Sequence, residues 1–308
     1  MLSRYRMSHS TQSIVTPVPS ATVILARQKD NQLQIYLLKR SSKSGFMAGK
    51  YVFPGGLVDD PGDTDIETWE NHLDLDVAQA GLRLGKTLPY EQILPYCVAA
   101  IRETFEESGV LLTGNSLQNI HNLEPLRLSR ASGALPPNWL GQHVVAGGDV
   151  LAISRLSCWA HWVTPKRMKR RYDTRFFVAE MPTDQTCSPD NKETTHGIWV
   201  SPEKGLSGNL DGTIPLSPPT LVNLQQLLKY KTIDALKAET TRRPWGAPIM
   251  PRLMPLSGEG VILEPWDPMY AREEVIIDTE SLPGKVLKVG EPFSRIWVHG
   301  DTCQPVSV

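Results

Sequence analysis

The sequence predicts an α/β (α+β) fold, a mixed β-sheet between helical layers with a helical insertion and a C-terminal extension. Three observations carry this. Two β-rich runs, 21–26 (ATVILA) and 33–40 (LQIYLLKR), are separated by polar RQKDN; an amphipathic helical period follows around 98–108; further strand runs then lead into a second helical stretch at 216–236. Strands, helix, strands, helix in that order place helices over the faces of a mixed sheet.

The bulk composition limits the alternatives. A chain of 308 residues with 40% hydrophobic and 21% charged residues can bury a full core. Lys+Arg 32 against Asp+Glu 33 leaves a net charge of -1, so nothing global attracts nucleic acid, and a polyanion would need a local basic patch. Apolar runs are too short for a bilayer span, so no membrane partner is expected. Cys97, Cys158, Cys187 and Cys303 are widely spaced and form no CxxC pair, which fits a reducing, cytoplasmic setting or an organelle matrix and excludes a zinc knuckle.

Element by element, residues 1–16 lack acidic groups and a clear amphipathic period and read as a disordered start. The runs 21–26 and 33–40 form a hairpin, and the strand YVF stops at Pro54-Gly55-Gly56. Residues 59–95 read as an irregular helical insertion, and 113–148 as a second irregular segment rich in polar, glycine and proline positions. Strand runs ISRLSCWAHWVT, DTRFFVAEM and IWVSPEKGL follow, and SPPT opens one helix continuing to about 236. The main domain thus spans 17–240. The Pro-rich tail 241–308, with short β-like pieces, is an extension packed on the domain or at a homodimer interface.

The helix AAIRETFEESGVLL is the chemically unusual element. At about 100° per residue, Glu106 and Glu107 flank Glu103 in one ridge, while Val98, Ile101 and Phe105 form the opposite, core-facing stripe. Most charge runs are solvated faces. Like charges at i, i+3 and i+4 nevertheless repel, and a hard divalent cation relieves that repulsion. Spacing alone leaves the two readings level.

Context adds a resemblance. Arg102-Glu103-Thr104-Phe105-Glu106-Glu107-Ser108-Gly109-Val110, with Pro54-Gly55-Gly56 upstream, resembles the signature of the Nudix hydrolases, whose fold is an α/β/α sandwich. Two departures stand out. The family joins the two halves closely, whereas residues 57–96 intervene here; and the family's first glutamate has no clear counterpart, with Asp63 and Glu91 as substitutes. The resemblance implies Mg²⁺ or Mn²⁺ held by Glu103, Glu106, Glu107 and the Gly55 carbonyl. It implies structural support from Arg102, Gly56 and Gly109. It also implies Glu103 or Glu193, ahead of the strand at Trp199, as the catalytic base.

The flank from Tyr36 to Asp65 resembles the branch that splits coenzyme A and acyl-CoA into 3′,5′-ADP and (acyl-)4′-phosphopantetheine. A small nucleotide substrate is therefore the expected partner. ADP-ribose, NADH or a related dinucleotide is the alternative, and an inactive binding module a more distant one, since all three glutamates are present. Arg40, Arg170, Arg171 and Arg175 are candidate phosphate-binding cations, with a solvated basic turn as the competing account of 166–171. Trp69, Leu73 and Leu75 could line an acyl channel or simply form the insertion's own core.

Overall fold

The structure is a computed structural model describing residues 2–6, 14–45, 47–84, 88–114, 120–241 and 243–308. In chain order its elements are β1 (Leu2–Arg6), β2 (Val18–Lys29), β3 (Gln32–Arg40), β4 (Tyr51–Val52), β5 (Gly55–Leu57), α1 (Ile66–Glu70), α2 (Val77–Leu84), α3 (Tyr90–Ser108), α4 (Ile120–Ser132), α5 (Trp139–Gly147), β6 (Ser157–Val163), β7 (Tyr172–Glu180), β8 (Thr194–Val200), α6 (Pro202–Leu210), α7 (Pro218–Leu227), α8 (Ile233–Thr240), β9 (Arg252–Pro255), β10 (Glu259–Leu263), β11 (Glu274–Asp278), β12 (Arg295–His299) and β13 (Thr302–Val306).

The central sheet has the order β4-β3-β2-β7-β6, with β5 also pairing with β2 and β8 with β3. The β2–β7 ladder is parallel and the others antiparallel, so the sheet is mixed, as the sequence predicts. The β2–β3 hairpin turns on Asp30 and Asn31, both at positive φ (52° and 58°), the conformation a two-residue hairpin turn requires.

Alternation along the strands builds the two layers. Val23 and Leu25 of β2 and Phe177 and Ala179 of β7 face one core, shared with Val98, Ile101 and Phe105 of α3. Their neighbours Ile24, Ala26, Phe176 and Val178 face a second core, shared with Leu221 and Leu224 of α7 and Leu236 of α8. A strand points successive side chains to opposite faces, so continuously apolar strands demand cover on both sides. The result is the expected α/β/α arrangement.

Several elements depart from the sequence reading. Leu2–Arg6 is a strand antiparallel to Glu274–Asp278 where a disordered start is expected; residues 1 and 7–13 lie outside the described residues. The stretch 113–148 contains α4 and α5, whose periods are masked by Pro125 and by the Pro136-Pro137 pair between them; 115–119 lie outside the described residues. The single helix expected at 216–236 is two, because the Thr232 side chain accepts from Ala235 N–H and starts α8 afresh. The box helix begins earlier, at Tyr90, and carries Pro95 inside it. The insertion therefore runs directly into the helix bearing the glutamates.

Trp69 is fully buried in the first core and donates to the Gly62 carbonyl at 2.6 Å, with Leu73 and Leu75 packed against the same core. The insertion uses these residues as packing and not as a channel. All four cysteines are free thiols. Among the described residues, no helix is long and apolar enough to cross a membrane.

The C-terminal extension forms a four-stranded antiparallel sheet, β13-β12-β10-β9. One face carries Met254, Val261, Leu263, Trp297 and Val306, which make a small core of their own with Val275, Ile277 and Leu282. The other face presents Ile262, Ile296 and Cys303 to the second core of the main domain. Polar pins join the two: Lys50 Nζ donates to the Asp301 carbonyl, and Asn209 Nδ2 to the Cys303 carbonyl at 2.7 Å.

Glu264, just beyond β10, is fully buried, and neither carboxyl oxygen meets a hydrogen-bond partner among the described residues. Burial pushes its pKa up to about 8 from an ordinary value of 4.5. Between those values the folded chain holds a proton that the unfolded chain has lost, so stability falls as pH rises through the window. Glu264→Gln removes that component. Urea melts should show the variant close to wild type near pH 4.5 and more stable by about 4 kcal/mol at pH 8, given about 1.36 kcal/mol per pKa unit.

Candidate active site

Two independent packings bring the box halves together. Val98, Ile101 and Phe105 are buried against the sheet and fix the roll of α3. Pairing of β5 with β2, Thr22 opposite Gly55 and Ala21 opposite Gly56, carries the glycine turn to the acidic side of that helix. Gly55 N–H then donates to Glu107 Oε2 at 2.9 Å. A Cβ on Gly56 would stand 2.4 Å from the Glu103 carboxyl carbon, and one on Gly55, at φ 155°, 2.3 Å from the Ala21 carbonyl oxygen. Only glycine allows this approach. Gly109, left-handed at φ 73°, ends α3 by donating to the Phe105 carbonyl.

Arg102 sits among the carboxylates, 5% exposed. Its Nε and Nη2 grip Asp63 bidentately at 3.0 and 2.9 Å, and Nη2 also donates to the Leu57 carbonyl at 2.8 Å. Its Nη1 donates to Glu103 at 2.8 Å and to Glu106 at 3.4 Å. Of the two substitutes considered for the missing first glutamate, Asp63 is buried on Arg102, whereas Glu91 is exposed. Asp63 itself is held by a capping box with Asp60, whose carboxylate also accepts Asn138 N–H at 3.0 Å. Trp139, next along, donates its indole N–H to Glu106 Oε1 at 2.6 Å and packs tilted against Phe105, ring centroids 4.9 Å apart.

The acidic ridge is therefore not a solvated face. Glu107 is 5% exposed, and the Glu103 side chain 14%. Burial pushes Glu103 up to about 8 against the lowering effect of Arg102, with Glu106 adding to the rise. Burial, reinforced by the nearby Glu103 charge, holds Glu107 well above the carboxylate range; Gly55 N–H and Arg40 oppose it.

These carboxylates line a cavity of about 750 Å³, within the usual range for a small-molecule site. Arg40, Lys50, Asp59 and Glu193 line it too. Glu193 is 70% exposed, with its carboxylate 4.0 Å from Arg40 Nη2. The structure thus brings Gly55, Gly56, Arg102, Glu103, Glu106, Glu107, Glu193 and Arg40 to one place. Among the described residues no group of three His, Cys, Asp or Glu side chains stands ready-made for an ion; Arg102, Trp139 and Gly55 each engage one of the glutamates.

Three candidate cations do not line the cavity. Arg171 is buried, donating to the Thr164 and Val15 carbonyls at 3.1 and 2.7 Å. Arg175 is buried over the Tyr96 and Trp245 rings. Arg170 is exposed beside Gly45. The basic turn contributes Thr164, Pro165 and Met168 to the cavity instead.

Sequence reasoning missed Trp139, Asp60 and Arg130, the last joining the Glu106 carbonyl (2.8 Å) to Ser188 on the segment leading to Glu193. Nothing local in the sequence marks Trp139 or Arg130 as site residues. Asp60, within DDPGD, carried a turn signal.

A family model described as the NUDT19 Nudix domain matches residues 67–227. A relative from Gallus gallus, named acyl-coenzyme A diphosphatase NUDT19, is 30% identical over 85% of this chain and 81% of its own length. The chain belongs to the Nudix hydrolase family. The counterpart named in the same way in Xenopus laevis is 29% identical, covering 93% of this Nudix chain and 79% of the relative. The crystal structure of a Nudix hydrolase from Alicyclobacillus acidocaldarius aligns over 76% of this chain and all of the other, with a TM-score of 0.54 at 20% identity, and so shares the fold. In this Nudix hydrolase the two halves of the interrupted box meet in space, on β5 and α3, although the segment between β5 and α3 separates them in the chain.

The geometry gives two mutational expectations. Gly56→Ala must displace the Glu103 carboxylate; diphosphatase activity should fall about 100-fold, the scale of a misplaced site group, with the circular dichroism spectrum unchanged. Asp63→Ala strands the buried Arg102 guanidinium, so urea unfolding should report a loss of about 3 kcal/mol.

Proposed function

We propose that this Nudix hydrolase cleaves the pyrophosphate of coenzyme A or acyl-CoA, giving 3′,5′-ADP and (acyl-)4′-phosphopantetheine, with Mg²⁺ or Mn²⁺. The observation that carries the reading is the buried Glu103–Glu107 pair in a cavity wall, joined by the names of the acyl-CoA diphosphatase relatives.

The donor set fits a hard cation. Asp59, Glu103, Glu106, Glu107 and Glu193 line the cavity with carboxylate oxygens, no histidine lines it, and mutual repulsion raises the affinity of the glutamates for any positive species. Glu106 and Glu107, with Glu103 beside them, would hold the ion, which when bound supplies charge neutralisation of the diphosphate oxygens and acidifies a water. Arg102 keeps the carboxylates in register and does not reach for substrate, its donors being committed within the protein. Arg40, whose Nε is buried without a partner among the described residues, orients a phosphate oxygen at the cavity wall.

Glu193 takes the proton from the attacking water. Glu103 is fixed by Arg102 at 2.8 Å and packed on Gly56, whereas Glu193 is exposed on a loop, its carboxylate at a looser 4.0 Å from Arg40 Nη2. Glu103 remains the second reading, because it lines the same cavity next to Glu106 and Glu107.

Hydrolysis of CoA, ADP-ribose and NADH side by side with Mg²⁺, analysed by mass spectrometry in ¹⁸O-water, tests the reading. CoA should be the preferred substrate, and Glu107→Gln should abolish turnover. Preference for ADP-ribose or NADH overturns the substrate class. Glu193→Gln should lower kcat by about 10²- to 10⁴-fold, the usual contribution of a positioned base. A fully active Glu193→Gln transfers the role to Glu103.

A further inference from the structure

The cavity that holds the glutamates has a second, chemically different wall. Glu103 and Glu107 belong to the helix covering one face of the central sheet, whereas Phe176, Trp162 and Ile262 belong to the core on the other face. Ser20 of β2, Thr174 of β7 and Val163 of β6, which lie together at one end of these paired strands, also line it. The cavity therefore bends around the strand ends, from a charged floor to an apolar wall.

Part of that wall comes from outside the α/β/α unit. Leu253, Ile262 and Val298 lie on the inner face of the C-terminal sheet, where Leu253 pairs directly with Ile262 and Val298 with Cys303. On the same face Ile296 and Cys303 are sealed against the domain core, at 0% and 1% exposure. Leu253 and Val298 are only partly buried and open on the cavity. Apolar surface left bare inside a cavity that continues to a charged site marks where an apolar part of a ligand lies. These aliphatic side chains offer no hydrogen bond to a base or ribose. They suit a flexible hydrocarbon joined to the diphosphate.

We propose that Leu253, Ile262 and Val298 form the wall on which the acyl chain of the substrate rests, so that the C-terminal extension sets chain-length preference. This rests on the coenzyme A reading above and adds to it the place of the acyl group. The chain carried on the pantetheine thiol leaves the diphosphate at the glutamates and follows the cavity around the strand ends to this sheet.

The test compares kcat/KM for lauroyl-CoA and free CoA in wild type and Leu253→Trp, which fills the wall. The lauroyl-to-CoA ratio should fall at least about tenfold, the discrimination that a few misfit methylenes impose. Val298→Thr, near in shape and milder for folding, should lower the same ratio several-fold through its buried hydroxyl. Folded variants with an unchanged ratio, by thermal melt and kinetics together, overturn the acyl wall while leaving the diphosphatase intact. Wild type that turns over neither CoA nor lauroyl-CoA overturns the coenzyme A reading itself.

Discussion

The guanidinium of Arg102 is the interaction on which the site depends. It is buried, and it binds Asp63 on one side and Glu103 and Glu106 on the other, with the Leu57 carbonyl between. Without it, Glu103, Glu106 and Glu107 would stand on adjacent turns of α3 with no cation between them. With it, two of them have fixed directions, and the third, Glu107, is fixed by Gly55 N–H. A buried ion network of this kind adds little net stability over an apolar core, while loss of one member is expensive. Its value is orientation.

That node also explains how the chain tolerates a long insertion within a motif that is compact elsewhere in the family. Covalent closeness of the two halves is replaced by three noncovalent ties: the β5–β2 ladder, Leu57 to Arg102, and Asp63 to Arg102. The first turn of the insertion places the buried Asp63 carboxylate on Arg102. Asp60 then ties that turn to Asn138, and Trp139 reaches back to Glu106. The insertion and the α5 segment are thus part of the site's second layer and not appendages.

Much of this was legible in the sequence because it rests on local period and turn chemistry. The hairpin, the Pro-Gly-Gly stop and the amphipathic α3 each follow from residues within a dozen positions, and the glutamate cluster is one helical ridge. The failures have the opposite character. Arg171 and Arg175 look like phosphate-binding cations in PKRMKRRYDTRFF, yet their environment is set by the nearby Thr164 and by Val15, Tyr96 and Trp245, which are far away in sequence. Trp69 reads equally as channel or core until its indole is seen bonded to Gly62. Helices α4 and α5 are disguised by their prolines, since tertiary packing holds what propensity discourages.

The same contrast bears on the C-terminal extension. Its strands alternate so that one face closes on Val275, Ile277 and Leu282 and the other meets the domain. A free-standing module would need only the first face apolar. An extension serving merely as a cover would bury the second face completely. Here the second face is part sealed, at Ile296 and Cys303, and part open, at Leu253 and Val298. The sealed part anchors the sheet, with Lys50 bonded to Asp301 at its margin. Lys50 also lines the cavity. Anchorage and cavity wall therefore share residues, so a shift of this sheet alters the shape of the cavity, which extends beyond the α/β/α sandwich into the last strands.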